Sequence, residues 1–143
     1  LKKGLSAPSF TLTDDKGQAV TLDALKGKVI YMDFWYASCV PCHVLFGKLK
    51  PVKERFQNHP QVIFLNVSID PESVWKTSLK KFNIAGYHVF TQNKGSDHPV
   101  IKDYKIGQYP TTLLIDKDGR VFNATPPDEP SELMKQIELL LQH

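Results

Sequence analysis

Apolar and polar residues alternate through Ser9-Phe10-Thr11-Leu12-Thr13 and again through Ala19-Val20-Thr21-Leu22. Asp14-Asp15-Lys16-Gly17 lies between them, a pattern that predicts two strands joined as a hairpin. Leu25-Lys26-Gly27-Lys28 leads into Val29-Ile30-Tyr31-Met32-Asp33-Phe34-Trp35-Tyr36, which is apolar almost throughout, as expected of a central parallel strand covered on both faces. Asp33 is its one charge. Leu45, Leu49, Val52 and Phe56 then step by four, three and four, a helical stripe that assigns Lys48, Lys53, Glu54 and Arg55 to solvent, with Pro51 expected to kink the helix. Val62 to Ile69 reads as a second buried strand. Pro71-Glu72 followed by Val74, Trp75, Leu79 and Phe82 predicts the next helix, with Asp70 as its cap, completing a β-α-β unit. Asn83 to Pro99 reads mostly as loop around a short strand at Tyr87-His88-Val89-Phe90, and Val100 to Tyr104 as one or two helical turns. Thr111 to Ile115, the turn Asp116-Lys117-Asp118-Gly119 and Arg120 to Phe122 predict an antiparallel hairpin that closes the sheet. Beyond Pro126-Pro127, Leu133, Ile137, Leu140 and Leu141 mark a last helix, capped near Ser131.

This order of elements is α/β. With 143 residues, 41% of them apolar, the chain is the size of one domain spanning 1–143 that can bury a core without metal or disulfide staples. It starts at Leu1-Lys2-Lys3-Gly4 rather than Met, which leaves room for an export signal, a lipid anchor or an upstream domain; a membrane enters the reading only through such an anchor. The 18 Lys and Arg are scattered among 15 acids, so the net charge of +3 forms no block and implies no nucleic-acid partner.

The two cysteines, Cys39 and Cys42, are three positions apart. A bridge closing so short a loop removes little chain entropy, so the pair is read as chemical rather than structural. At the end of a buried strand and the start of a helix, Cys39 meets unpaired backbone N–H groups and the positive end of the helix dipole, which favour a thiolate. Cys39 is therefore the expected nucleophile, and Cys42, one turn inside, the thiol that attacks the mixed disulfide. Two inert core cysteines are the plain alternative. Cys39-Val40-Pro41-Cys42-His43 also fits covalent c-type haem with His43 on the iron, although neither Met32, in a strand, nor Met134, in the last helix, is an evident second ligand. A zinc site drawing on His43, His59, His88 or His98 lacks a second close ligand pair, so no metal is expected.

Asp33-Phe34-Trp35-Tyr36-Ala37-Ser38-Cys39-Val40-Pro41-Cys42 resembles the active-site segment of thioredoxins, and Tyr109-Pro110-Thr111-Thr112 resembles their cis-proline segment. Ala7-Pro8-Ser9-Phe10-Thr11-Leu12 with Gly27-Lys28, and the long Asn83–Gly107 connection, are similar to the exported TlpA/ResA-like branch. The resemblance spans nearly the whole chain and implies a thioredoxin fold: a central mixed sheet flanked by helices, here with an N-terminal β-hairpin extension. It also implies thiol-disulfide exchange with protein thiols and disulfides, no cofactor beyond a redox-active Cys39–Cys42 disulfide, and an upstream thiol reductant.

Within that resemblance Asp33 takes the place of a buried acid beneath the resolving cysteine, where desolvation raises its pKa and suits it to exchange a proton with Cys42; a strand-end acid facing solvent is the alternative. The family's lysine on the neighbouring strand is replaced by Asn66, so its charge pair is expected to be missing. Pro110, if cis, sets the Tyr109 backbone beside Cys39 to hold an extended partner segment. Trp35, Tyr36, Val40 and Pro41 complete the expected partner-contact surface, with core packing as an equal alternative for Trp35, since aromatic residues at a strand end are as often packed inside. Leu45 and Gly47 stand where the TlpA/ResA-like branch often has Glu and Pro, which argues against cytochrome maturation, and Ser38 replaces the common Trp. Peroxiredoxins share the opening segment, making a thiol peroxidase the alternative enzyme, yet Tyr36 occupies a position three before Cys39 that differs from their pattern. Val40-Pro41 lacks the histidine of strongly oxidising relatives. The expected role is thus a reductase in the bacterial periplasm or cell envelope, with the cytoplasm as the alternative.

Overall fold

A computed structural model describes residues 1–143. The strands are β1 (Thr11–Asp14), β2 (Ala19–Thr21), β3 (Val29–Trp35), β4 (Val62–Ser68), β5 (Tyr87–Phe90), β6 (Thr111–Ile115) and β7 (Val121–Asn123). They form one sheet in the order β2-β1-β5-β4-β3-β6-β7. β3 runs parallel to β4 and β4 to β5, whereas β1–β2, β1–β5, β3–β6 and β6–β7 are antiparallel. The helices are α1 (Val40–Lys48), α2 (Lys50–Phe56), α3 (Glu72–Phe82), α4 (Pro99–Asp103) and α5 (Pro130–Leu141). None is long and apolar enough to cross a membrane.

All seven residues of β3 are buried, because the strand is central and both faces are covered. Ile30, Met32 and Phe34 face a core built with Leu65 and Val67 of β4, Val100, Ile101 and Tyr104 of α4, and the N-terminal segment from Ala7 to Leu25. Val29 and Tyr31 face the other side, against Leu49, Val52 and Phe56 and against Leu133, Ile137 and Leu140 of α5. Trp35, further along that face, belongs to a third cluster with Cys39, Cys42, Phe46, Trp75 and Phe90. Asp33 therefore lies between two apolar clusters. The register carries this polar position across the sheet: Thr112 on β6, Asp33 on β3, Asn66 on β4 and His88 on β5 are successive partners.

The expected elements are present, and four details differ from expectation. The helix beyond the cysteines breaks at Leu49 into α1 and α2, because Pro51, in the first turn of α2, has no N–H to continue the ladder. Asp70 does not cap α3. Its carboxylate is taken by the Ala37 N–H and the Ser68 hydroxyl, and the Asn93 side chain from a distant turn accepts the Glu72 N–H instead, at 2.8 Å. α5 is capped by Glu129, which accepts from the Glu132 N–H, rather than at Ser131. Lys53, assigned to solvent, is 4% exposed.

Candidate active site

The site is built where β3 passes into α1. Cys39 is the N-cap of α1, with extended backbone, and its Sγ accepts the Cys42 N–H at 3.2 Å. The two residues are joined in a disulfide, with Cα atoms 5.3 Å apart. Sulfur thus takes the place that a serine or aspartate oxygen fills in ordinary caps, satisfying one of the orphan amides of the first turn. The geometry favours negative charge on Cys39 Sγ once the bond is reduced, since an N–H and the helix dipole both point at it. Cys39 is 2% exposed, but Val40, between the cysteines, is 72% exposed and Pro41 is exposed beside it.

The loop preceding Cys39 is held at one residue from both sides. Asp70 accepts the Ala37 N–H at 2.8 Å, and His43 Nε2 lies 2.7 Å from the Ala37 carbonyl oxygen, so that nitrogen carries the proton. His43 is therefore tied to this loop rather than free in solvent. Its ring packs 4.3 Å, centroid to centroid, from Phe82 and edge-on to Trp35.

Tyr109-Pro110 is a cis peptide. Tyr109 packs on the cluster that contains both cysteines and meets Tyr36 edge-to-face at 5.4 Å. The structure thus gathers Trp35, Tyr36, Cys39, Val40, Pro41, Cys42, Tyr109 and Pro110 around the end of β3, with Asp33 two residues inside the strand. For Trp35 the core-packing alternative holds and the partner contact does not: it is fully buried, an inner wall for the cysteines with no face left for a partner.

Asp33 is 1% exposed, which excludes the solvent-facing alternative, and neither carboxylate oxygen has a hydrogen-bond partner. Burial raises its pKa to about 7, against the pull of the Lys53 charge. Burial lowers Lys53 to about 8, opposed by Asp33. Tyr31, two residues before Asp33 on the same face, is pushed well above the usual phenol value by burial and then by the Asp33 charge. Asn66 pairs with Asp33 in register, as expected, and donates to the Ala85 carbonyl, which the buried Lys53 ammonium of α2 also holds, at 3.0 Å in each case.

Lys53, His43 and Asp70 are the site residues that the sequence reading did not find. Lys53 carried a detectable signal, since Phe46, Leu49, Lys53 and Phe56 also step by three, four and three and define a second reading of the buried stripe. The contacts of His43 and Asp70 with Ala37 depend on a loop path that no periodicity encodes. No three His, Cys, Asp or Glu side chains are grouped to hold a metal ion.

Comparison with known proteins agrees with this geometry. The AhpC/TSA family matches residues 4–124. The chain is 29% identical over 139 residues to the thiol-disulfide oxidoreductase ResA of a Bacillus cereus strain, covering 97% of this chain and 76% of that one. Among solved structures, the thioredoxin domain of a thiol-disulfide oxidoreductase from Bacteroides vulgatus superposes with a TM-score of 0.83 at 28% identity, covering 97% of each chain. A thiol:disulfide interchange protein from Bacteroides sp. superposes with a TM-score of 0.85 at 26% identity, covering 100% of this chain and 92% of the other. The fold is the thioredoxin fold.

Proposed function

The chain belongs to the AhpC/TSA family, and we propose that it is a reductase, passing electrons from Cys39 and Cys42 to disulfides of protein partners. It is a thiol-disulfide oxidoreductase of the thioredoxin-like class, as its similarity to enzymes of that name supports. The observation that carries the reading is the Cys39–Cys42 disulfide at the N-cap of α1, with the Cys42 N–H on Cys39 Sγ.

In the reduced protein the Cys39 thiolate attacks one sulfur of a partner disulfide, forming a mixed disulfide and releasing the other sulfur as a thiolate, which takes a proton from water. Asp33 accepts the proton of Cys42. The Cys42 thiolate then attacks Cys39 Sγ, the Cys39–Cys42 bond forms, and the second partner sulfur leaves and is protonated. The partner disulfide gains two electrons and the cysteine pair loses two. A dithiol protein upstream returns them by the reverse exchange. Tyr36, Val40 and Pro41 present the contact surface, and the Tyr109 backbone at Pro110 holds the partner chain as an added strand.

Val40-Pro41 between the cysteines, without a histidine, supports the reducing direction. The segments similar to the exported TlpA/ResA-like branch support a place in the bacterial periplasm or cell envelope, and residues 1–143 are read as one domain. The test is insulin reduction under dithiothreitol, with the Cys39–Cys42 couple titrated against glutathione. Turnover with a potential below about −220 mV, the reducing side of the range spanned by thioredoxin and disulfide isomerases, is expected. An oxidising potential reverses the direction, and faster consumption of hydrogen peroxide than of insulin moves the assignment to a thiol peroxidase. Cys39→Ser abolishes turnover and Cys42→Ser accumulates mixed disulfides at Cys39; equal trapping by both variants overturns the division of roles.

A further inference from the structure

Tyr36, Ala37 and Ser38 link β3 to Cys39 outside any strand or helix, yet Ala37 is held at both of its backbone polar groups. Its N–H donates to Asp70 Oδ2 at 2.8 Å, and its carbonyl accepts from His43 Nε2 at 2.7 Å. Asp70 is fixed in turn by the Ser68 hydroxyl, at 2.8 Å. His43 is fixed by its ring, which packs 4.3 Å from Phe82 and edge-on to Phe46 and Trp35, at 5.7 and 6.1 Å between centroids. Its backbone N–H donates to the Cys39 carbonyl at 3.3 Å. His43 thus spans the cysteine pair: it follows Cys42 in the chain, and its side chain reaches back to the second residue before Cys39. Nε2 carries a proton both in this neutral tautomer and in the imidazolium, so the link does not depend on the charge of the ring.

We infer that His43 is a positioning residue that holds Cys39 at the start of α1 once the Cys39–Cys42 bond is open, and thereby stabilises the attacking thiolate. The inference rests on the proposed role of Cys39 as the nucleophile. In the oxidised protein the disulfide itself fixes Cys39 to Cys42, and the His43 link adds little to that covalent constraint. Reduction removes the constraint. Cys39 then stays at the N-cap through hydrogen bonds: its N–H to the Tyr36 carbonyl at 3.1 Å, its carbonyl from the His43 N–H, and the two bonds that pin Ala37. A thiolate that drifts from this place loses the Cys42 N–H and the helix dipole, whose effect is confined to the first turn. The side-chain bond of His43 therefore acts on the reduced state, favouring thiolate over thiol and the reduced pair over the disulfide. The other ionisable groups around this corner are Asp70, Tyr36 against Tyr109, Asp33 inside β3, Lys53 over the Phe46 ring, and Lys81 of α3, which shares a cavity with Ala37 and Ser38. Asp70 is already engaged by Ala37 and Ser68, and none of the others bonds the Ala37 carbonyl.

The experiment compares wild type with His43→Phe, which keeps an aromatic ring in the same packing and removes the donor, and with His43→Gln, whose amide nitrogen takes the place of Nε2 without a ring or a charge. Each protein is followed by the pH dependence of iodoacetamide alkylation, with the modified cysteine identified by mass spectrometry, by equilibration with glutathione, and by urea unfolding in both redox states. His43→Phe is expected to move the alkylation midpoint up by about 0.7 pH unit. Its exchange with glutathione is expected to shift about fivefold towards the disulfide, about 20 mV more reducing, the scale of one hydrogen bond. It is expected to lose more stability in the reduced than in the oxidised protein. His43→Gln is expected to stay close to wild type in all three. An unmoved midpoint and potential in His43→Phe, with Cys39 still the alkylated residue, overturn the role of His43 and leave that of Cys39 standing. Equal shifts in both variants assign the effect to the ring, and equal loss of stability in the two redox states makes the bond merely structural; either overturns the inference. Alkylation at Cys42 in wild type overturns the underlying reading of Cys39 and the inference with it. Should His43→Phe fail to fold, His43→Leu is judged by the same outcomes.

Discussion

At the scale of single residues, the site works by placing ordinary side chains where water cannot dominate them. Cys39 is an N-cap whose sulfur receives a backbone N–H, and Asp33 is a carboxyl with no hydrogen-bond donor at either oxygen. Such a carboxyl is costly when ionised and therefore holds its proton up to about pH 7. Asp33→Asn is expected to slow attack by Cys42 on a mixed disulfide by about 100-fold at neutral pH, the scale of one lost acid–base group, while attack by Cys39 changes little. Stopped-flow separation of the two steps checks this; equal slowing of both would show that the substitution acts through packing. Gly86 leaves room beside Asn66, the register partner of Asp33, by its lack of a side chain: a Cβ there would lie 2.6 Å from Asn66 Nδ2 and 2.8 Å from the Phe64 carbonyl. Its φ of 121° also excludes other residues without strain.

At the scale of elements, the chain positions its chemistry by borrowing contacts across long sequence separations. α3 starts at Glu72, whose N–H is satisfied by Asn93, 21 residues away. Asn93 itself sits at φ 64°, a left-handed conformation that asparagine tolerates. Asn93→Gly preserves the backbone and removes the cap, with an expected loss of about 1 kcal/mol; Asn93→Ala adds backbone strain and is expected to cost more. Urea unfolding at fixed pH measures both, and equal stability of wild type and Asn93→Gly would remove the cap from the account. The break between α1 and α2 shows the same economy. Pro51 ends one helix ladder and begins another, and the second helix turns Lys53 towards the sheet rather than outward.

At the scale of the whole molecule, the buried pair couples folding to pH in two opposite windows. Asp33 holds its proton to about pH 7 when folded, against 3.8 unfolded, so the folded state binds the extra proton between these values. Its contribution to stability is whole below about pH 4 and is lost as pH rises towards 7. Lys53 releases its proton near 8 when folded, against 10.5 unfolded, so the unfolded state binds more protons there and stability recovers from about pH 8 upward. Asp33→Asn removes the first window. Its melting temperature is expected to gain several degrees relative to that of wild type on going from pH 4.5 to 7.5. Calorimetry of both oxidised proteins at those two values gives the difference, and a constant offset would mean that Asp33 is not protonated in the folded state as described.

The elements and the reacting pair are legible along the chain. Apolar runs place β3 and β4, alternation places β1 and β2, helical periodicity places the helices, and two cysteines at a strand–helix junction fix where the chemistry starts, because these signals are local. Local signals also put Asp33 inside, in the middle of an apolar strand. What surrounds it is set by packing between distant elements. Lys53 was assigned to solvent by its charge, yet α2 packs it inward, where it shares the Ala85 carbonyl with Asn66. Trp35 was offered to partners by its place beside the cysteines, yet α1 and α3 cover it completely. His43 and Asp70 meet at Ala37 through loops whose path carries no periodicity. A residue's type and spacing set its preference for water or for its own helix or strand, whereas its electrostatic partners are chosen by elements that pack against it from elsewhere in the chain.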